Sequence, residues 1–268
     1  MIEKFEVQEE GRMRLMYGAH ISQIMRVRQL RNDCLVERGE TPRAEQSSSL
    51  VLLMCPLPQN INLASMMTLI SDHIRDKLKE LYSHTSRHYH TLNHIEALLT
   101  LLSTHREKFH DPEAIEAAIW FHDAIYNVHA QGNCNEVQSA QLAGSMLSGL
   151  VDATRLKGIQ VMIEATATHT VPDELQSSEV VADAALFLDI DLSVLGAEEE
   201  AFDEYEGAVR KEYGHVDEQG WREGRAAVLR GFLDREWIYH SDIFRGLLEE
   251  KARANLRRSL ERFSGSVP

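Results

Sequence analysis

The 268-residue chain is short of the residues that interrupt helices and of those that staple small folds. It has six prolines, at 42, 56, 58, 112, 172 and 268, so only Pro112 and Pro172 fall between residues 59 and 267. Long helices fit such a stretch, because proline removes a backbone donor and clashes with the preceding turn. The three cysteines (Cys34, Cys55, Cys134) are odd in number, widely spaced and without a paired zinc spacing. That argues against a disulfide framework or a thiolate metal site and for a reducing, cytoplasmic setting. The longest apolar run, Leu50 to Cys55, is far below the ~20 residues that cross a bilayer, and the amino end lacks a signal-peptide layout, so no membrane partner is expected. Positive charge is also scarce. With 28 Lys+Arg against 42 Asp+Glu the net charge is −14, a sign that repels nucleic-acid backbones, and no nucleic-acid coat is expected. No GxxxxGK[ST] loop, GxGxxG turn or GxSxG elbow occurs, which leaves glycine-loop nucleotide binding and serine-hydrolase chemistry unsupported.

With 43% hydrophobic residues the chain can bury a substantial core. Residues 1–60 hold eight basic and eight acidic residues, leaving the whole −14 excess to 61–268. The first 60 residues, with an Arg-rich stretch from Gly11 to Asn32 and a proline-bracketed Cys55–Pro58, are read as an N-terminal appendage or a poorly ordered tail. From Met66 apolar residues recur three and four apart with almost no alternation, the pattern of amphipathic helices packed on one another. The expectation for 61–268 is therefore an all-α domain, a compact helical bundle. Its helices are placed at about 66–84, 92–104, 112–126, 135–149, 153–169, 178–195, 198–214, 217–233 and 242–262. Asp111, Pro112 and Glu113 supply an N-cap, a first-turn proline and a favourable charge for the third of these.

Histidine is the abundant functional residue, with thirteen copies. His122 shares an apolar stripe with Ile115, Ala118 and Ile119, and Asp123 follows it. His94 lines up with Leu98, Leu101 and Leu102. Asp191 falls on the apolar stripe of Val180, Ala184, Leu188 and Leu195, whereas Asp189, the competing choice, shares a more polar one with Ala182, Ala185 and Ser193. Ionisable groups directed into a core are costly unless paired or metal-bound. Two imidazoles and two carboxylates form a mixed nitrogen and oxygen set suited to Mn, Fe, Co, Ni or Zn, with Mg also admissible. A cation held there would acidify a bound water and polarise a phosphoryl oxygen, which suits hydrolysis of a phosphate ester or anhydride.

The order His94, His122-Asp123, Asp191 resembles the H…HD…D pattern of the HD-domain metal-dependent phosphohydrolase superfamily. More narrowly, RHYHTLNHI, WFHDAIYN with NEVQSA, and FLDIDLSVLG are similar to its predicted metal-dependent HD phosphohydrolase group, over about Met66 to Tyr239. The resemblance implies a compact HD-type helical fold, a divalent metal held by His94, His122, Asp123 and Asp191, and hydrolysis of a phosphorylated small molecule, nucleotide-like compounds included. Only His129 and His169 stand between the HD pair and Asp191, so a mononuclear centre is favoured.

Asp123 and Glu136 are the candidate catalytic carboxylates. Glu136 opens a helix from which it can return to the site as a base or an orienter, and dipole stabilisation is its alternative role. Arg87, Tyr89 and His90 are the candidate substrate grip, since arginine takes phosphate oxygens bidentately and tyrosine stacks or donates. His169 is a further substrate-binding candidate, or a helix-terminal residue that satisfies free carbonyls. Rival readings are an HD-type di-iron oxygenase, which needs additional histidines, a non-catalytic metal- or nucleotide-binding regulatory module, and a bundle whose histidines are merely paired in the core.

Overall fold

A computed structural model describes residues 68–264. The N-terminal appendage expected at 1–60 and residues 66–67 of the first expected helix lie outside the described residues, and that helix begins only at Asp72, after non-helical residues 68–71. The described chain is all-α, with helices α1 (Asp72–Tyr82), α2 (Leu92–Thr104), α3 (Pro112–Phe121), α4 (Cys134–Leu147), α5 (Ala153–Ala165), α6 (Ser178–Asp191), α7 (Glu199–Glu212), α8 (Glu218–Leu233) and α9 (Asp242–Ser264). Two 3-10 turns, Arg106–Lys108 and Leu192–Gly196, join neighbouring helices. Among the described residues no helix is long and apolar enough to cross a membrane.

Helix α3 is the axis. Ala114, Ile115, Ala117, Ala118, Ile119, Trp120 and Phe121 are all buried, and a helix that is apolar over most of its surface belongs in the middle of a bundle. It packs against α1, α2, α4, α5 and α6. Burial of Ile115, Ile119 and Phe121, none of which is exposed, contributes about 1.5–3 kcal/mol each before entropy is counted. The helix starts as its sequence suggests, with Pro112 in the first turn and the Asp111 carboxylate accepting from the N–H of Ala114 at 3.1 Å.

The later helices gather on the second 3-10 turn, against which α6, α7 and α9 all pack, while α8 lies along α9. Gly196 permits the closest approach there. A Cβ at this position would stand 2.6 Å from Leu248 Cβ and 2.9 Å from its carbonyl oxygen, distances no side chain tolerates. The early helices pack on α3 and the later group on the 3-10 turn, and α6 packs against both.

Buried carboxylates fasten several loops. Asp183 accepts from the N–H groups of His110 and Asp111, both at 2.8 Å, just ahead of α3. Glu249 accepts from those of Ile238 and Tyr239, the residues before α9. A helix start or loop buried away from water needs such acceptors for its free N–H groups.

The third expected helix, at 112–126, ends early, at Phe121. Beyond it the carbonyls of Asp123 and Ala124 accept from the Arg87 guanidinium at 2.8 and 2.9 Å, and the N–H of Ile125 donates to Ser139 Oγ at 3.0 Å. These bonds offer the backbone partners outside the helical ladder, so the chain turns where the periodic pattern alone would continue it. The fifth and sixth helices likewise stop short, at Ala165 and Asp191, where turns replace the last expected residues.

Candidate metal centre

Three segments deliver the donors. His94 stands in the first turn of α2, His122 and Asp123 follow the last residue of α3, and Asp191 closes α6. The helix stripes read from sequence bring them inward. His94 and His122 are buried, and the side chains of Asp123 and Asp191 are 18% and 10% exposed. His94 Nε2 and His122 Nε2 are 3.2 Å apart. Asp191 Oδ1 lies 3.3 Å from the first and 3.5 Å from the second. Asp123 Oδ2 lies 3.0 Å from His122 Nε2 and 3.8 Å from His94 Nε2. The ligand atoms of His94, His122 and Asp123 all fall within 4.8 Å of one another, and this cluster could hold a metal ion.

The donor chemistry fits a cation. Ligands ~2.0–2.2 Å from one ion, at tetrahedral or octahedral angles, are separated by ~3.0–3.5 Å, close to the spacing found. Hydrogen bonding also fixes the imidazole orientation. His122 Nδ1 lies 2.9 Å from the carbonyl oxygen of Ile119, which can only accept, so Nδ1 carries the proton and a neutral ring turns a lone pair on Nε2 toward His94, Asp123 and Asp191. That lone pair would face two carboxylates, an arrangement that a shared cation satisfies and that a proton on Nε2 satisfies where no cation is bound. The electrostatics favour the proton in the metal-free chain. Burial opposes charge on His122, but Asp123 and Asp191 outweigh it and hold the imidazole well above its ordinary value. His94 moves the other way, lowered chiefly by burial. Asp191, despite burial, is held well below the usual carboxylate range by His122 and by hydrogen bonds from His122, His169 and His94. Asp123 is lowered as well, mainly by His122.

A cavity of ≈ 80 Å³ opens beside this cluster. Tyr89, His90, Glu136 and His169 line it together with His94, Asp123 and Asp191. Glu136 stands in the first turn of α4, 7% exposed, and its Oε2 is buried without a hydrogen-bond partner. Burial, reinforced by the charge of Asp123, pushes this carboxyl up to about 7. A carboxyl at that value gains and loses its proton near neutral pH. His169 follows α5 with a left-handed backbone, φ 48°, unusual for a non-glycine residue. Its Nε2 is 2.9 Å from Asp191 Oδ2, while its own carbonyl accepts from Arg235 Nη1 and lies 3.0 Å from His240 Nε2. The ring is thus turned into the site, while the backbone N–H donates to the Ala165 carbonyl that ends α5.

Tyr89 and His90 reach the cavity because Glu212, the last residue of α7, grips the loop before α2. Its Oε1 accepts from the N–H groups of His88, Tyr89 and His90 at 2.7, 2.8 and 3.0 Å, and its Oε2 lies 2.7 Å from His90 Nδ1 and accepts from the Tyr126 hydroxyl at 2.9 Å. Burial works against this carboxylate, but the bonds from His90 and the backbone hold it down at about 2. His90 is raised, since Asp123 and Glu212 outweigh its burial. The Tyr89 ring packs 5.0 Å from His94 and 4.6 Å from Tyr205.

Two expectations need correction. Arg87, expected in the substrate grip, does not line the cavity. Its guanidinium donates to the carbonyls of His90, Asp123 and Ala124 and lies over the rings of Tyr82 and Tyr126, so it braces the turn that carries Asp123. Asp189 does not lie on a polar stripe either. It is fully buried, and its two oxygens accept from the N–H groups of His240 and Ser241 at 2.6 and 2.7 Å, which removes it from the cluster. Sequence reasoning did not single out Glu212, Tyr205 or Arg225. A glutamate ending an acidic helix carries no local signal. Arg225 does, since it falls three and seven residues before Val228 and Phe232, which also line the cavity.

No family model, curated protein or solved structure matches the chain.

Proposed function

We propose that the protein is a metal-dependent phosphohydrolase of the HD type, acting on a phosphorylated small molecule in the cytoplasm. The observation that carries this reading is the convergence of His94, His122, Asp123 and Asp191, with five donor separations between 3.0 and 3.8 Å. A divalent ion among Mn, Fe, Co, Ni, Zn and Mg, when bound, supplies a water acidic enough to ionise near neutral pH and draws charge from a phosphoryl oxygen. The chain's own groups do the rest. Glu136, with its unpartnered oxygen, takes up or returns a proton close to neutral pH. His169 orients Asp191 through its other oxygen. Glu212 fixes His90 and Tyr89 at the rim. A cavity of ≈ 80 Å³ is well below the ~300–1,000 Å³ that encloses a drug-sized ligand. It admits a phosphoryl head, and the body of a nucleotide would project outside.

The test is elemental analysis of purified protein, followed by a screen of phosphorylated metabolites with Mn, Co, Ni, Fe and Mg. His122→Ala and Asp123→Ala should each abolish metal content and hydrolysis, whereas His110→Ala, which keeps its backbone bond to Asp183, should change neither. Equal loss in all three would overturn the assignment. One observation favours the di-iron oxygenase reading: Asp191 offers Oδ1 to His94 and His122 and Oδ2 to His169. Two metal ions per chain and oxygen consumption would decide for it.

A further inference from the structure

Besides Glu136, helices α7 and α8 present a second polar feature among apolar lining residues. Arg225, Val228 and Phe232 line the cavity from α8, Tyr205 from α7, and Leu192, Val194 and Leu195 from the 3-10 turn. Arg225 is only 8% exposed, and an arginine buried among apolar side chains is rare unless something holds it there. Glu206 does so, accepting from Nε at 3.0 Å and from Nη2, which also donates to the Tyr205 hydroxyl at 2.7 Å. Ser259 donates to the other Glu206 oxygen and completes the clamp.

The clamp leaves donors over. All of Arg225's hydrogen bonds run from Nε and Nη2, so Nη1 meets no acceptor among the described residues. The Tyr205 hydroxyl accepts from Arg225, and its own hydrogen likewise meets none. Arg225 also lines the cavity, and an arginine serving only to pair α7 with α8 has no need of a place there. We propose that Arg225 Nη1 and the Tyr205 hydroxyl form an oxyanion-binding subsite that holds a phosphate or carboxylate oxygen of the substrate. Arginine suits that task because its planar fork is held in place by Glu206 before the ligand arrives. The subsite rests on the phosphohydrolase reading for its substrate, but not for its ability to bind an anion.

The experiment uses the full-length chain stripped of metal with chelator and titrated with inorganic phosphate by calorimetry. The wild type should bind phosphate, and Arg225→Lys and Arg225→Gln should bind it about tenfold more weakly or not at all. Arg225→Lys keeps a positive charge opposite Glu206 while losing the fork, and thermal melts check that each variant is folded. A crystal of the wild type soaked in phosphate gives a readout free of variants, with a phosphate oxygen expected within hydrogen-bond distance of Nη1. Equal phosphate affinity in wild type and folded variants, no binding by the wild type, or phosphate seated elsewhere would overturn the subsite. A separate Mn titration should be unchanged in Arg225→Lys. Failure of the wild type to bind Mn would overturn the metal centre and leave the phosphate result standing.

Discussion

Asp189 and Asp191 stand two residues apart on α6, yet one accepts from the backbone N–H groups of His240 and Ser241 while the other faces the imidazoles of His94, His122 and His169. The same contrast runs through the molecule. Asp183, Asp189, Glu212 and Glu249 each receive backbone N–H groups ahead of a helix, and the acid is satisfied within the chain. In the cavity, Asp123 and Asp191 meet rings whose nitrogens can also accept, and Glu136 Oε2 meets nothing. An amide donor closes a carboxylate's account permanently, whereas an imidazole does so only while it carries a proton or shares a cation. The loop-fastening acids therefore maintain the fold, and the cavity acids keep a demand that a ligand can meet.

Substitutions at the neighbouring aspartates should separate the two roles most strongly. Asp191→Ala is expected to abolish bound metal and hydrolysis while leaving a folded protein, measured by elemental analysis, turnover and circular dichroism. A variant that keeps its full metal content would break the comparison. Next in size is Glu136→Gln. It should retain metal but lower the catalytic rate by about 10²–10⁴-fold, the usual worth of a positioned acid–base group, and a rate within a few-fold of wild type would reduce Glu136 to a first-turn charge. Asp189→Ala takes the acceptors from two partly buried N–H groups, at up to about 1–3 kcal/mol each. Its melting temperature should fall, with metal content per folded chain unchanged.

Much of this was legible in the sequence because periodicity reports burial. The all-α class and the span of α2 follow from apolar residues three and four apart, and the same stripes carry His94, His122 and Asp191 inward. What periodicity does not encode is which buried acid finds amides. Asp189 reads as polar because Ala182, Ala185 and Ser193 share its stripe, but the chain returning before α9 covers it, a contact between residues about fifty positions apart. Glu212 and Arg87 were missed or misassigned for the same reason, since their partners lie 122–124 and 36–37 residues away. The end of α3 also depends on those distant partners. An arginine near a ligand helix reads as a phosphate grip until the fold shows that backbone carbonyls occupy it.

The smallest expected effect is a pH dependence of stability at Glu136. Burial raises its carboxyl from 4.5 to about 7 in the folded chain, so the folded state binds more protons than the unfolded state between those values. Stability must then fall as pH rises across that window, because the unfolded chain releases its proton first. Glu136→Gln carries no such proton. In chelator-treated protein the variant should gain stability over wild type as pH climbs from about 4.5 to about 7, and the gap should stay level above that. Thermal melts at a series of pH values measure it. The loop-fastening Glu212, held down at about 2, gives the opposite sign: its stabilisation is complete above the ordinary carboxylate value and is lost only as pH falls toward 2. A Glu136→Gln gap that instead narrowed with rising pH would place this carboxylate with Glu212, among the acids already satisfied by the chain.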